Sequence, residues 1–300
     1  MPAPRILIIA NPIAGGHRGS KVSPLLREAL VERGAAAEIA YTAASGDAER
    51  RAAAMGPGEF DAVVAVGGDG TLNEVVNGLS DLTTPLTVLP MGTGNVLARA
   101  LHLPRQPAQL ADMLLDGAVC RAAVGVANGR RFLQFCSAGL DARMVARLEA
   151  AGSRTLGRRK WLGPILHTIR HWPTERVSFT TAEGEQHRDL GSVLVTRIDN
   201  YATILKLPGE IAIDDGVLHV FGFPQRTRFQ FARATLRALF RRLRPGRDVV
   251  HCATRGLRID GEGGPWQLDG DVGGRLPLDI TVLPTPAHLL VPRRDPATPR

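Results

Sequence analysis

The sequence predicts a chain of two parts, an α/β half built on a parallel sheet followed by an antiparallel, β-rich half. Three observations predict it. The 300 residues exceed what one hydrophobic core usually holds and divide into two parts of ordinary size. Up to Cys120, short apolar runs alternate with Ala/Leu-rich stretches at helical spacing, the pattern of βαβ units. Beyond it the apolar runs become strand-like pieces with few helical stretches between them. The expected boundaries are 1–120 for the α/β domain, 121–292 for the β-rich domain, whose last strands are free to return to the first, and 293–300 for a polar tail expected to be disordered.

In the first half, residues 5–10, 61–66 and 86–90 are apolar runs of strand length. Each breaks into a special turn: Asn11-Pro12-Ile13-Ala14-Gly15-Gly16, Gly67-Gly68-Asp69-Gly70-Thr71 and Met91-Gly92-Thr93-Gly94-Asn95. Glycines without Cβ let backbone N–H groups approach phosphate oxygens, and the positive end of a following helix adds attraction for negative charge. Helical-looking sequence follows the second and third turns, and an open α/β sheet binds its ligand at the carboxyl ends of its strands. Asp69 is the odd member. A carboxylate beside a phosphate repels it unless a cation bridges the two or the acid has chemical work, which suggests a metal–nucleotide complex. No turn matches G-x-G-x-x-G or G-x-x-x-x-G-K-[ST], so neither the common dinucleotide fold nor a P-loop is indicated. Each turn alone could be a Gly-rich strand-to-helix connection with an Asp cap. Further helices are expected over 22–34, 47–54 and 106–117.

In the second half, strands are expected at 131–135, 175–181, 192–196, 217–221, 256–259 and 278–283, with helices around 141–171 and 226–244. Two acidic turns stand out, Asp214-Asp215-Gly216 and Asp269-Gly270-Asp271; in isolation each could be a tight turn. The formal net charge of +8 is matched by Arg226, Arg228, Arg233, Arg237, Arg241, Arg242, Arg244 and Arg247, a stretch without an acid. Phe229, Ala232, Leu236, Leu239, Phe240 and Leu243 recur through it at helical spacing. The segment 226–247 therefore reads as a basic amphipathic helix, either packed on its domain with arginines in water or laid on an anionic membrane surface. Cys120, Cys136 and Cys252, few and widely spaced, read as buried thiols of a reducing compartment, not as a disulfide framework or a zinc site. His17, His167, His171, His187 and His219 lack metal spacing and are assigned to surface or packing. No stretch approaches the ~20 apolar residues of a membrane span, and the N-terminal apolar run is too short for a signal-peptide core.

Taken in order, Asn11-Pro12 with Gly15, the Gly67–Thr71 turn with Asn73-Glu74, Gly92-Thr93-Gly94-Asn95, Asp214-Asp215-Gly216-Val217-Leu218, Leu268-Asp269-Gly270-Asp271 and Val282-Leu283-Pro284 resemble the signature of the diacylglycerol kinase catalytic-domain family of lipid kinases. That family is related to sphingosine kinases and, more distantly, to NAD kinases. The resemblance implies a Rossmann-like domain followed by a β-sandwich. It implies ATP- and Mg²⁺-dependent phosphorylation of the hydroxyl of diacylglycerol or a similar amphiphile by a cytoplasmic protein resting on the inner membrane face. By the same resemblance Asp269 is the catalytic base and Asp69 a second catalytic carboxylate. Asn11, Thr42, Gly67, Gly68, Gly70, Thr71, Glu74, Gly92, Thr93, Gly94, Asn95 and Asp271 belong to the nucleotide pocket. Asp214, Asp215 and the carbonyl of Leu218 form a Mg²⁺ site distinct from the Mg²⁺ that travels with the nucleotide, and Asp141 is a weaker carry-over.

The chain departs from the pattern twice. Asp271 stands where Glu is usual, and the segment Arg197-Ile-Asp-Asn-Tyr-Ala-Thr-Ile-Leu-Lys-Leu-Pro208 replaces an Asn and a glycine cluster, with bulky Ile204 and Leu205 in place of flexible backbone. The acceptor therefore stays open among diacylglycerol, sphingoid base, ceramide, prenol and phosphatidylglycerol, as does the choice of ATP over GTP. Two other readings remain: an NAD kinase-like enzyme, and a nucleotide-binding lipid sensor or transfer protein without turnover. The acidic turns and the basic helix favour lipid kinase over NAD kinase. Aromatic residues make up only 5% of the chain and no recognition motif is present, so no nucleic-acid partner is expected; a homodimer is left open.

Overall fold

The computed structural model describes residues 2–150, 163, 167, 170, 172, 175–201, 205–240 and 242–293. The tail residues 294–300 and most of the expected helix at 141–171 lie outside these. The chain divides into two units, one running to Ala122 and resuming at Pro284, the other spanning Ala123–Leu283. The predicted fold class is borne out: a parallel α/β sheet in the first unit and a β-rich second unit.

In the first unit β1 (Arg5–Ala10), β2 (Ala36–Tyr41), β3 (Ala62–Gly67) and β4 (Leu86–Pro90) run parallel. The closing strand Ala287–Val291 lies parallel to β4 and antiparallel to β5 (Ala118–Ala122), giving the order β2-β1-β3-β4-closing strand-β5. β3 and β4 are buried throughout and β1 is buried beyond Arg5. Strands covered on both faces need apolar side chains on both, which is why these three read as unbroken apolar runs. β2 and β5 are partly exposed; lacking such runs, they escape the reading by pattern. The covering helices include α1 (Ala14–His17), α2 (Gly19–Glu32), α3 (Asp47–Ala53), α4 (Asp69–Gly78), α5 (Val96–Ala100) and α6 (Pro107–Asp116).

The second unit carries β6 (Gly125–Ala127), β7 (Arg130–Phe132), β8 (Phe135–Gly139), β9 (Val177–Thr181), β10 (Gln186–Leu190), β11 (Ser192–Thr196), β12 (Asn200–Tyr201), β13 (Leu205–Lys206), β14 (Leu218–Phe223), β15 (Val250–Thr254), β16 (Gly256–Gly261), β17 (Pro265–Leu268), β18 (Asp271–Arg275) and β19 (Leu278–Val282). They form sheets of order β10-β9-β16-β19-β6-β7 and β15-β14-β11-β8-β17-β18, with β12 and β13 a small ribbon. Phe132, Phe179, Ile259 and Leu278 of the first sheet share one buried cluster with Cys136, Val195, Val220 and Trp266 of the second, so the inner faces of a sandwich make the core. The strand expected at 131–135 is two strands, β7 and β8, because the chain crosses there from one sheet to the other.

Other expectations need correction. The arginine-rich helix is Arg228–Leu239, capped by a reciprocal Thr227–Gln230 box, and ends well short of 244. Its buried residues are Ala234 and Ala238, whereas Phe229, Leu236, Leu239 and Phe240 are exposed; the large apolar side chains do not form its packed stripe. Among the cysteines only Cys136 is buried, Cys120 and Cys252 being half-buried.

The helices α3 and α4 pack through a glycine. A Cβ on Gly78 would lie 2.1 Å from the Glu49 carbonyl oxygen and 2.9 Å from Ala52 Cβ, so even a methyl group must push the helices apart. We expect Gly78→Ala to destabilise the chain by about 1–3 kcal/mol, the usual cost of overpacking, measured by urea unfolding; unchanged stability would show that this contact yields freely.

Candidate functional site

The three glycine turns meet at one edge of the first unit's sheet. β1, β3 and β4 are adjacent and parallel, so their carboxyl ends release residues 11–16, Gly68 and 91–95 side by side. Backbone bonds tie the turns to one another: Asn11 N–H donates to Val66 O at 2.9 Å and Met91 N–H to Gly67 O at 2.8 Å. Thr42 enters beside them, its N–H on Ala10 O at 2.9 Å. The approach is close enough to exclude side chains. A Cβ on Gly92 would sit 2.8 Å from Gly68 Cα, one on Gly15 would sit 2.7 Å from Met91 O, and one on Gly67 would sit 2.4 Å from Thr71 Oγ1. Gly68 itself has φ −97°, ordinary for any residue; what demands glycine here is the packing of one turn on the other.

Asp69 explains its own place in this cluster. Its carboxylate accepts Val96 N–H at 2.9 and 3.2 Å, capping α5 from the first residue of α4. The acid thus clamps the second turn to the third, a role that spacing in sequence does not reveal. Asn95, buried and with φ 46°, closes the third turn on itself: its Oδ1 accepts Gly92 N–H at 2.9 Å and its Nδ2 donates to Gly92 O at 2.7 Å. Glu74 accepts Ala48 N–H at 3.1 Å and the Ser45 hydroxyl at 3.3 Å, so it caps α3. Gly70 and Thr93 are exposed at the same edge, and Asn11, Thr42, Thr71 and Gly94 are half-buried. The edge offers the N-terminus of α4, flexible-backbone turns and polar side chains, the equipment for holding phosphate.

The second unit holds the two acidic turns. Asp269-Gly270 is a two-residue hairpin turn between β17 and β18, with φ 49° and 96°, the signs of a type I′ turn. Phe135 and Asp269 exchange bonds: Asp269 N–H donates to Phe135 O and Asp269 Oδ1 accepts Phe135 N–H, both at 2.9 Å. A buried polar chain supports the turn. Gly270 N–H donates to Gln267 Oε1 at 2.9 Å, and Gln267 Nε2 donates to Ser137 Oγ at 2.9 Å and to Asp141 Oδ2 at 3.1 Å. The Ser137 and Tyr201 hydroxyls also donate to Asp141. Burial, and then the Asp141 charge, push the Tyr201 hydroxyl well above its usual pKa, so it stays a donor. Asp271 opens β18 and is exposed.

The Asp214-Asp215 turn is occupied by partners absent from the sequence reading. Arg197 has no exposed side-chain surface. Its Nη1 meets Asp215 Oδ1 at 3.0 Å, its Nη2 the Ile213 carbonyl at 2.5 Å and its Nε the Ala123 carbonyl at 3.3 Å. His219 Nε2 lies 2.6 Å from Asp215 Oδ2, and Val217 N–H donates to Asp215 Oδ1 at 3.1 Å. Burial works to raise the Asp215 carboxyl, but His219, Val217 N–H and Arg197 outweigh it and hold it below the ordinary carboxylate value. His219 also reaches His251 at 3.2 Å; burial, then the His219 charge, lower the His251 pKa. His219 is therefore a partner of Asp215, not a scattered histidine, and the i,i+4 spacing of the pair was its only signal in the sequence. Leu218, whose carbonyl the resemblance enlists, begins β14 and is buried. With both oxygens of Asp215 engaged and a guanidinium already against one of them, Asp215 does not fit the part of a Mg²⁺ ligand that the resemblance implies. Among the described residues no group of three His, Cys, Asp or Glu side chains could hold a metal ion. Ile204 lies outside the described residues, as does Arg241.

Comparison with known proteins agrees with these motifs. Residues 5–127 match the family model for the diacylglycerol kinase catalytic domain. The chain is 27% identical over 296 residues, 96% of its length, to the diacylglycerol kinase of Bacillus subtilis (strain 168), and covers 97% of that protein. It is 35% identical over 137 residues, 45% of either chain, to the diacylglycerol kinase of Staphylococcus saprophyticus. A crystal structure from Bacillus anthracis str. Sterne, assigned to the diacylglycerol kinases, superimposes with a TM-score of 0.79 at 25% identity, covering 99% of this chain and 97% of that one. The resemblance read from the motifs is thus borne out.

The glycine packing yields a test of the first unit's edge. In Gly92→Ala the methyl group would lie 2.8 Å from Gly68 Cα and 2.9 Å from Asn95 Oδ1, so the turns must part. We expect the rise in melting temperature on adding ATP, a direct report of binding to the native state, to fall by at least about half; a full shift in the variant would mean that the nucleotide is held elsewhere.

Proposed function

We propose, from the premise that this chain is a lipid kinase related to the diacylglycerol kinases, that it transfers the γ-phosphate of Mg²⁺-bound ATP to the hydroxyl of diacylglycerol or a similar amphiphile. The observation that carries the reading is the packing of three glycine turns and the start of α4 at one edge of a parallel sheet. Phosphoryl transfer requires that the nucleotide be held, that its charge be neutralised and that a base accept the acceptor's proton. We assign the first task to residues 11–16, 67–71 and 92–95, with Thr42 beside them. Mg²⁺ bound to ATP would supply the neutralisation. Asp269 is our choice for the base, held in the left-handed region by its exchange of bonds with Phe135. Asp69 shapes the phosphate turns through Val96, with Asp271 as a further polar contact. Labelled ATP incubated with solubilised lipids and NAD, followed by product separation, tests the reading; label on NAD alone would replace it with the NAD kinase alternative.

The arginine-rich helix supports membrane contact. A helix on an aqueous surface turns its large apolar residues inward, whereas here Phe229, Leu236, Leu239 and Phe240 are 75%, 55%, 49% and 66% exposed. A hollow of about 650 Å³ beside them is lined by Leu236, Phe240, Leu243, Arg237, Arg242 and Arg244. Apolar residues flanked by arginines fit a headgroup layer, with the rings in the acyl boundary and the charges on anionic lipid. Among the described residues no helix is long and apolar enough to cross a membrane.

Not every arginine is available for lipid. Arg237 pairs with the buried Asp248, so its removal would damage the fold, and Arg226 is already engaged by Asp189 at the surface. Arg233 and Arg242 have no acidic partner among the described residues. Replacing both with Gln removes attraction worth about 1 kcal/mol per charge, and we expect cosedimentation with phosphatidylglycerol vesicles at low salt to weaken roughly tenfold or more. Binding by the variant equal to that of the parent would remove the membrane assignment.

For the base, Asp269→Asn keeps an acceptor for Phe135 N–H and a residue type that tolerates positive φ, but the amide cannot take a proton. We expect kcat to fall by about 10²–10⁴-fold, the usual worth of a general base, while ATP still raises the melting temperature. A variant keeping more than about a tenth of parental kcat would transfer the role to Asp69.

A further inference from the structure

We propose that the Arg197 guanidinium is the resident cation of the 213–217 turn, standing where the resemblance leads one to expect a structural Mg²⁺, so that the second unit folds without bound metal. The oxygens around it are those a hard divalent ion would take, one carboxylate and two backbone carbonyls: Asp215 Oδ1 at 3.0 Å, Ile213 O at 2.5 Å and Ala123 O at 3.3 Å. The planar fork distributes its donors over all of them, which a lysine ammonium could not do from one point. Arg197 is wholly buried, so no water shell competes for these bonds. His219 takes the other Asp215 oxygen at 2.6 Å, so both oxygens of that carboxylate already have donors from the protein. A second cation brought beside a buried guanidinium would meet strong repulsion at low dielectric. Arg197 also opens the segment in which this chain departs from the family pattern, so the lost glycine cluster and the gained cation fall at one place in the sequence. Its chain link, Arg197 N–H on Gln134 O at 2.8 Å, fixes the side chain's origin at the end of β11.

The inference goes beyond the kinase reading and is tested without nucleotide, so that Mg²⁺ bound to the donor does not enter. The melting temperature of the full chain is measured in millimolar EDTA and in millimolar Mg²⁺, beside metal analysis of the protein as purified. An ion present at a hundredfold its dissociation constant or more would raise the melting temperature by on the order of 5 °C. We expect no difference of that size and no stoichiometric metal. Arg197→Gln, which leaves Asp215 and two carbonyls without their cation, is expected to melt lower by about 5 °C or more. A parent chain that loses several degrees in EDTA, one equivalent of bound metal, or a variant that melts with its parent would each overturn the proposal. If Arg197→Gln does not fold, the parental comparison decides alone. Failure of the kinase reading would show as absence of labelled product and would leave these temperatures untouched.

Discussion

Close backbone packing between the glycine turns is the constraint on which the first unit's edge depends. Gly68 and Gly92 lie near enough that a Cβ on either would meet the other's Cα, at 3.3 and 2.8 Å respectively. That closeness lets the Asp69 carboxylate reach Val96 N–H, and the bond in turn fixes where α5 starts relative to α4. A side chain at any of these points would separate the turns and dissolve the cap. Steric exclusion, hydrogen bonding and the orientation of two helix starts are therefore one arrangement, and the edge proposed to hold phosphate follows from it.

Much of this was legible because the physics is local. An unbroken apolar run ending in glycine signals a strand covered on both faces and a turn that must come close to something, and β1, β3 and β4 obey that rule. Strands with one solvated face, such as β2 and β5, carry weaker patterns. The break between β7 and β8 was invisible since both sides of it are apolar. The acidic turns were also visible, yet their partners were not. Arg197 meets Asp215 across a loop, and Phe135 meets Asp269 across 134 positions; no periodicity records such pairs.

Charge shows the same divide between count and place. The eight arginines of 226–247 equal the net charge of +8, which marked the segment as a basic amphipathic helix. Position sorts them instead. Arg237 is held by the buried Asp248, just past the segment, and Arg226 by Asp189 from β10. Arg197, outside the segment, is the most deeply buried of the arginines discussed. A buried guanidinium is tolerated only where oxygens surround it, and removing either partner strands the other's charge. Exposed arginines are exchangeable in stability terms and gain meaning only from a partner outside the fold.

Three of the carboxylates singled out from the sequence share a feature that governs how they can be probed. Asp69 accepts Val96 N–H, Asp215 accepts Val217 N–H and Asp269 accepts Phe135 N–H. Truncation to Ala would therefore orphan a backbone donor at each site and damage the turn whatever the acid's chemical role, at a cost of about 1–3 kcal/mol for a buried group. Substitution by Asn keeps an oxygen for the N–H and removes only the charge and the proton-accepting ability. A loss shared by Ala and Asn variants then reports charge or proton transfer, and a loss confined to Ala reports architecture. Asp215 should divide differently from the others, because its charge also answers Arg197 and His219. There the Asn variant leaves a buried cation without its counter-charge, so its cost belongs to the fold before it belongs to the chemistry.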